Sequence, residues 1–201
     1  SELFASDYKI DLQIEYMDAK KFNEAEITLN LLALYKEKFK RETFDVVIVS
    51  DDDAFNFALE YRPVLFPEVP IVFCGVNDLS GEDLRLGNFT GVVEVFDLGG
   101  TIDIALKLQP EKKKMVVIGD TSTTGVAIKR QIEELMPVYK DRLEVEYWMK
   151  LDLDEVQERV RFLPEDTFLF IMPYYQVIGN YSYTAEEVME AIYSHSSVPI
   201  Y

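Results

Sequence analysis

The sequence predicts an α/β protein with parallel sheets, built as two successive halves. Three observations lead there. Strand-like and helix-like patterns alternate along all 201 residues, which is the order that a parallel sheet clothed by helices needs. Runs at 44–49, 115–118 and 167–172 are apolar at nearly every position, as in strands covered on both faces. The sequence of half-wet and fully apolar runs also recurs in the second half.

Taken in order, Tyr8, Ile10, Leu12, Ile14 and Tyr16 are apolar at period two between Lys9, Asp11, Gln13 and Glu15. That pattern predicts a strand wet on one side, near a sheet edge. Asn23 is placed to cap a helix, with Glu26 reaching back and Ile27, Leu31, Leu34 and Tyr35 as its buried stripe. The run at 44–49 reads as a central strand, followed by a helix over 54–61. Pro63 and Pro67 then break the chain before a short strand at 71–73. Residues 88–93 are strand-like, and Gly99-Gly100 precede an apolar helix through Ile104, Leu106 and Leu108. Pro110 and Lys112-Lys113-Lys114 read as a solvated turn.

The second half then gives a buried strand at 115–118 and a helix over 124–136. An edge-like strand carries Leu143, Val145, Tyr147 and Met149. Asp152 with Glu155 and Thr184 with Glu187 have the spacing of capping boxes. A final strand begins at 198–201. Laid over one another, the strand at Leu143 matches that at Tyr8, the run at 167 that at 44, and 198 that at 71. The strand and helix at 115–136 have no counterpart before Tyr8. The expectation is a fragment lacking its first βα unit, with a parent that continues beyond Tyr201. The division expected is 1–93 for an incomplete first lobe, 94–110 for a crossover or hinge, and 111–201 for a second lobe.

Composition narrows the function. The formal net charge of −17 repels phosphate backbones, which argues against nucleic acid and anionic lipid as partners. No apolar run approaches the ~20 residues of a membrane helix. Any membrane attachment would therefore lie in other segments. The single cysteine, Cys74, and single histidine, His195, argue against a disulfide, a thiolate metal site or a histidine triad. No cofactor is expected.

Ligands of open parallel sheets meet the loops past the carboxyl ends of the strands. Asp51, in Ser50-Asp51-Asp52-Asp53, is placed to receive an ammonium or a hydroxyl, although Ser50 or Asp52 capping a helix explains the run as well. The missing Met-Pro after the aspartate argues against a phosphorylated receiver domain. Asn77, in Cys74-Gly75-Val76-Asn77-Asp78, can donate and accept, and Gly75 lets a backbone come close. Cys74, with no base nearby, reads as a small buried hydrophobe. Thr121, Ser122, Thr123 and Thr124 precede a helix, where hydroxyls and free N–H groups seat an anion. The loop lacks the Gly-Lys-Ser/Thr ending of a Walker A motif. Tyr174, in a tyrosine-rich stretch reaching Tyr183, offers a flat face and a polar tip, for a pocket or for packing.

The stretches 44–52, 69–77 and 90–94 resemble the ABC-type substrate-binding-protein-like family, and 117–125 and 197–201 fit the same pattern. The likeness is greatest to extracytoplasmic sensor regions of bacterial histidine kinases and diguanylate-cyclase-type proteins. It implies a type I periplasmic-binding fold, with two Rossmann-like lobes and a small molecule, such as an amino acid or other small carboxylate, held between them. Asp51 and Asn77 would face it from one lobe, and Thr121 to Thr124 with Tyr174 from the other. The resemblance implies no catalysis, an extracytoplasmic location tethered by segments outside this chain, and a C-terminal return to the first lobe. A homodimer is compatible with it. A transporter's substrate-binding component, an enzyme built on carboxylates such as Asp51 and Asp120, and a ligandless dimerisation module are the competing readings.

Overall fold

Two parallel sheets make up the computed structural model, which describes residues 10–19, 25–77, 79, 87–174, 177–178 and 181–201. The second sheet has β4 (Lys114–Ile118) at its centre, in the order β5-β4-β6, with β5 at Glu144–Trp148 and β6 at Thr167–Ile171. Both neighbours run parallel to β4. A parallel bridge from Leu169 to Ile200 continues the sheet beyond β6.

Met115, Val116, Val117 and Ile118 are fully buried. Strand alternation divides them between two cores. Met115 and Val117 pack with α3 (Leu98–Leu108) and α4 (Thr123–Tyr139). Val116 and Ile118 pack with α5 (Leu153–Val160) and α6 (Ala185–Tyr193). Complete capping boxes start α5 at Asp152 and α6 at Thr184. By its packing α3 belongs to this second sheet. The short β7 (Val177–Ile178) and β8 (Tyr181–Ser182) pair antiparallel before α6.

The first sheet has β1 (Val47–Ser50), β2 (Ile71–Val76) and β3 (Phe89–Val93), all parallel in the order β1-β2-β3. One face is covered. Val49, Ile71 and Phe73 pack on Phe55 and Ala58 of α2 (Asp52–Leu65), with the Phe55 and Phe73 rings 5.0 Å apart. Beside it, α1 (Ala25–Lys38) joins α2 through Tyr35, Phe57, Leu65 and Phe66. The opposite face is bare among the described residues: Ile48 is 66% and Val92 71% exposed.

Several expectations are corrected here. Residues 10–18 join no ladder, and Ile10, Leu12, Ile14 and Tyr16 are exposed. A lone strand has no partner for its backbone groups, so the alternation alone cannot make one. Tyr8, Lys9 and Asn23 lie outside the described residues. The apolar run at 44–49 forms an edge strand, not a central one. Leu34 is exposed, so the stripe of α1 is narrower than its pattern. Pro63 sits inside α2, in its last turn, where the sequence predicts a break. Residues 88–93, strand-like in sequence, supply the third strand of the first sheet, β3. Cys74 is exposed on the bare face, not buried. Lys112 is buried instead of solvated, its Nζ donating to the Glu165 carbonyl at 2.5 Å.

Two truncations separate a closed core from a bare face. Met115→Ala should cost about 2–5 kcal/mol, whereas Ile48→Ala should stay within about 0.5 kcal/mol. Urea unfolding of the two variants checks the contrast.

Candidate functional site

At the carboxyl ends of the strands, β1 runs into α2 through Asp51, and β2 ends at Val76-Asn77. Asp51 has φ 80° and ψ 157°. That region is nearly reserved for glycine and costs on the order of 1–3 kcal/mol. Its side chain accepts from the Asp52 N–H at 2.7 Å and so caps α2. Gly75 has φ +66°, and a Cβ there would lie 3.4 Å from the Asp51 nitrogen. That is an ordinary contact distance, so what favours glycine at 75 is its positive φ.

The strain delivers Asp52 inward. Asp52 is 2% exposed. Its Oδ1 accepts from the Asn77 backbone N–H at 2.8 Å, and its Oδ2 from Asn77 Nδ2 and Thr124 Oγ1, each at 3.1 Å. A buried carboxylate needs such donors, and the first turn of α2 favours negative charge. Because a carboxylate only accepts from that amide, Nδ2 must face it, which turns Asn77 Oδ1 the other way. Asn77 is 6% exposed, and its Oδ1 has no hydrogen-bond partner.

The second sheet meets this cluster with the start of α4. Thr123 Oγ1 donates to Asp53 Oδ1 at 2.6 Å, and Gln131 Nε2 to the Asn77 carbonyl at 2.8 Å. Ser122 caps α4 by accepting from the Gly125 N–H, while its own N–H and Oγ donate to Asp120 Oδ1. A Cβ on Gly125 would come within 2.5 Å of the Asp120 carbonyl, so the loop closes only around glycine.

The structure thus brings Asn77, Thr123 and Thr124 together, with Asp51 one residue from their shared partner. Thr121 is exposed at the loop tip, and Ser122 serves as the cap. Tyr174 stands apart: it is buried among Trp148, Leu153 and Val156, and its hydroxyl donates to the Leu151 carbonyl at 2.6 Å. Burial first, then the nearby carboxylates of Asp152 and Asp120, pushes its phenol well above the usual tyrosine range. Asp52 and Asp53 belong to the acidic run that the sequence offers to an ammonium or a hydroxyl, whereas Gln131 carries in sequence only its spacing of two helical turns from Thr124.

A groove of about 450 Å³ lies elsewhere, over β5 and the end of α4, lined in part by Glu133, Pro137, Val145 and Tyr147. The converging polar groups lie instead at the seam between the sheets. In the groove, the Tyr147 hydroxyl is buried without a partner, and Lys129 Nζ sits 4.8 Å from the ring centroid. Burial, then the Glu133 charge, pushes its phenol up to about 12. Among the described residues no cluster of His, Cys, Asp and Glu could hold a metal ion, and no helix is long and apolar enough to cross a membrane.

Asp52→Ala strands the donors of Asn77 and Thr124 and should destabilise the fold by about 1–3 kcal/mol per donor left unmet; denaturant midpoints measure it. Tyr147 titrates higher folded than unfolded. Its contribution is therefore complete below pH ~10 and lost as pH rises through about 12. Tyr147→Phe should remove part of the alkaline loss while leaving stability at neutral pH unchanged or slightly higher, as read by melting temperature against pH.

No family model matches the chain, and none of the curated proteins matches it. Two solved structures are similar. One is the ABC domain of Streptococcus pneumoniae in complex with L-Trp, with a TM-score of 0.58 at 17% identity, covering 87% of this chain and 58% of that one. The other is a conserved domain protein of Vibrio cholerae, with a TM-score of 0.55 at 17% identity, covering 92% of this chain and 64% of that one. The chain spans less than two thirds of the length of either. The fold is α/β and periplasmic-binding-protein-like, with two sets of three parallel strands.

Proposed function

We propose that this chain is the ligand-binding part of an extracytoplasmic sensor in a bacterial membrane signalling protein, gripping a small molecule between its two lobes. The observation that carries the reading is Asn77: a buried amide at the seam whose Oδ1 lacks a donor. It lies beside the strained Asp51 and across from the first turn of α4. An unmet acceptor calls for an N–H group, and a helix N-terminus favours an anion. A molecule carrying both, an amino acid, suits the pair, and the likeness to a domain bound to L-Trp points the same way. The carboxylates and hydroxyls gathered there are engaged in caps and in bonds across the seam, an arrangement that suits holding a ligand.

A transporter's substrate-binding component is the second reading, favoured by the name of the Streptococcus pneumoniae domain. Kinase or cyclase sequence in the same gene supports the sensor. A lipoprotein signal with a permease gene alongside supports the transporter.

Calorimetry and thermal shifts with the twenty amino acids test the binding itself. A ligand present at a hundred times its Kd should stabilise the fold by about 2.7 kcal/mol. Asn77→Ala should weaken that ligand at least roughly tenfold, the size expected for losing one buried hydrogen bond. The remote Tyr147→Phe should bind it unchanged. Binding that survives Asn77→Ala, or turnover of the bound compound, would overturn the proposal.

A further inference from the structure

An asparagine side chain ends in a donor and an acceptor of nearly the same shape, so a freely turning amide serves ligands of either kind. Asn77 is not free to turn. Its backbone N–H donates to Asp52 Oδ1 at 2.8 Å, its Nδ2 donates to Asp52 Oδ2 at 3.1 Å, and its carbonyl accepts from Gln131 Nε2 at 2.8 Å. Its Oδ1 is left buried without a partner. Turning the amide would set that Oδ1 against Asp52 Oδ2, two acceptors with no proton between them. Asp52 is 2% exposed, so water does not relieve the clash, and a hydrogen bond is lost as well.

We infer that Asp52 is the positioning residue that sets ligand class at the seam: by locking the Asn77 amide it admits an amino acid and rejects the α-keto acid with the same side chain. The inference rests on the seam being the ligand site. An ammonium brings N–H donors to the unmet Oδ1, whereas a keto oxygen brings a second acceptor. The carboxylate behind the amide also polarises it, which makes Oδ1 a stronger acceptor. Asp52→Asn should reverse the choice. The new side chain keeps an oxygen for the Asn77 backbone N–H and places an NH2 where Oδ2 stood. That donor calls for Asn77 Oδ1, so the amide at 77 turns and offers its own NH2 to the ligand. Thr124 Oγ1, which donates to Asp52 Oδ2 at 3.1 Å, is a hydroxyl and accepts instead. The bonds at 52 are all retained while the group facing the ligand changes from acceptor to donor.

Calorimetry on the whole chain, with the twenty amino acids and the α-keto acids that share their side chains, is the test. The unchanged chain should prefer an amino acid over its keto acid by roughly a hundredfold or more, and Asp52→Asn should favour the keto acid. A merely structural Asp52 would lower both affinities together and leave their ratio alone, which would overturn the inference. Equal binding of the two forms by the unchanged chain would overturn it too, with the ligand site itself still standing. Binding of neither series removes the site, and the inference with it. Should Asp52→Asn fail to fold, the unchanged chain still decides: its Asn77 side-chain NH2 protons should exchange at least roughly tenfold slower than those of an exposed amide and stay slow when an amino acid binds. Exchange at the exposed rate would show an amide free to turn and sink the proposal.

Discussion

Everything at the seam depends on the burial of the Asp52 carboxylate. Taken out of water, it must find donors or destabilise the fold. It finds them on Asn77 at the end of β2 and on Thr124 at the start of α4. One group therefore joins three elements from two sheets. The turn at Asp51 has to cap α2 and send Asp52 inward at the same residue, and its backbone departs into a region where glycine is the usual occupant. Gly75, in the neighbouring strand, lies against that turn with a positive φ of its own. Strain, cap and burial are three aspects of one constraint.

The second half was legible because its signals are local. A strand such as 115–118, apolar at every position, needs cover on both faces, and the chain supplies two helices for each. The boxes at Asp152 and Thr184 mark helix starts without reference to anything distant. The first half misled for the opposite reason. Periodicity at 10–16 and apolarity at 46–49 record the surroundings a segment is suited to, and a ladder forms only when a neighbour is present. The same alternation that folds into β5 beside β4 leaves Ile10, Leu12 and Ile14 in solvent.

At the site, the loops were readable and the side chains only partly so. Strand ends identify where Ser50 to Asp53 and Asn77 must lie, because parallel strands deliver their loops to one edge. Three consecutive aspartates, however, point in directions about 100° apart once the helix begins. Which of them is buried follows from how α2 meets α4, and that contact lies some seventy residues away in sequence. Tyr174 shows the converse: its amphipathic ring fits a pocket or a core equally well, and the carbonyl of Leu151 decides for the core.

The seam also bears on what a ligand bound there could change. Thr123, Thr124 and Gln131 reach across directly to Asp53, Asp52 and Asn77. Each hydrogen bond of this kind is worth about 0.5–1.5 kcal/mol net, so the joined arrangement has stability of its own. A ligand can raise its population only by the preference it adds for that arrangement over a separated one. The unmet Oδ1 of Asn77 is where such a preference can arise, since a donor placed there satisfies an atom that the protein leaves bare. The lobes also differ in rigidity. The second is packed on both faces of its sheet, whereas among the described residues the first has one bare face and an edge without a neighbour. Local opening costs least where burial is least, so it is expected first in the first sheet.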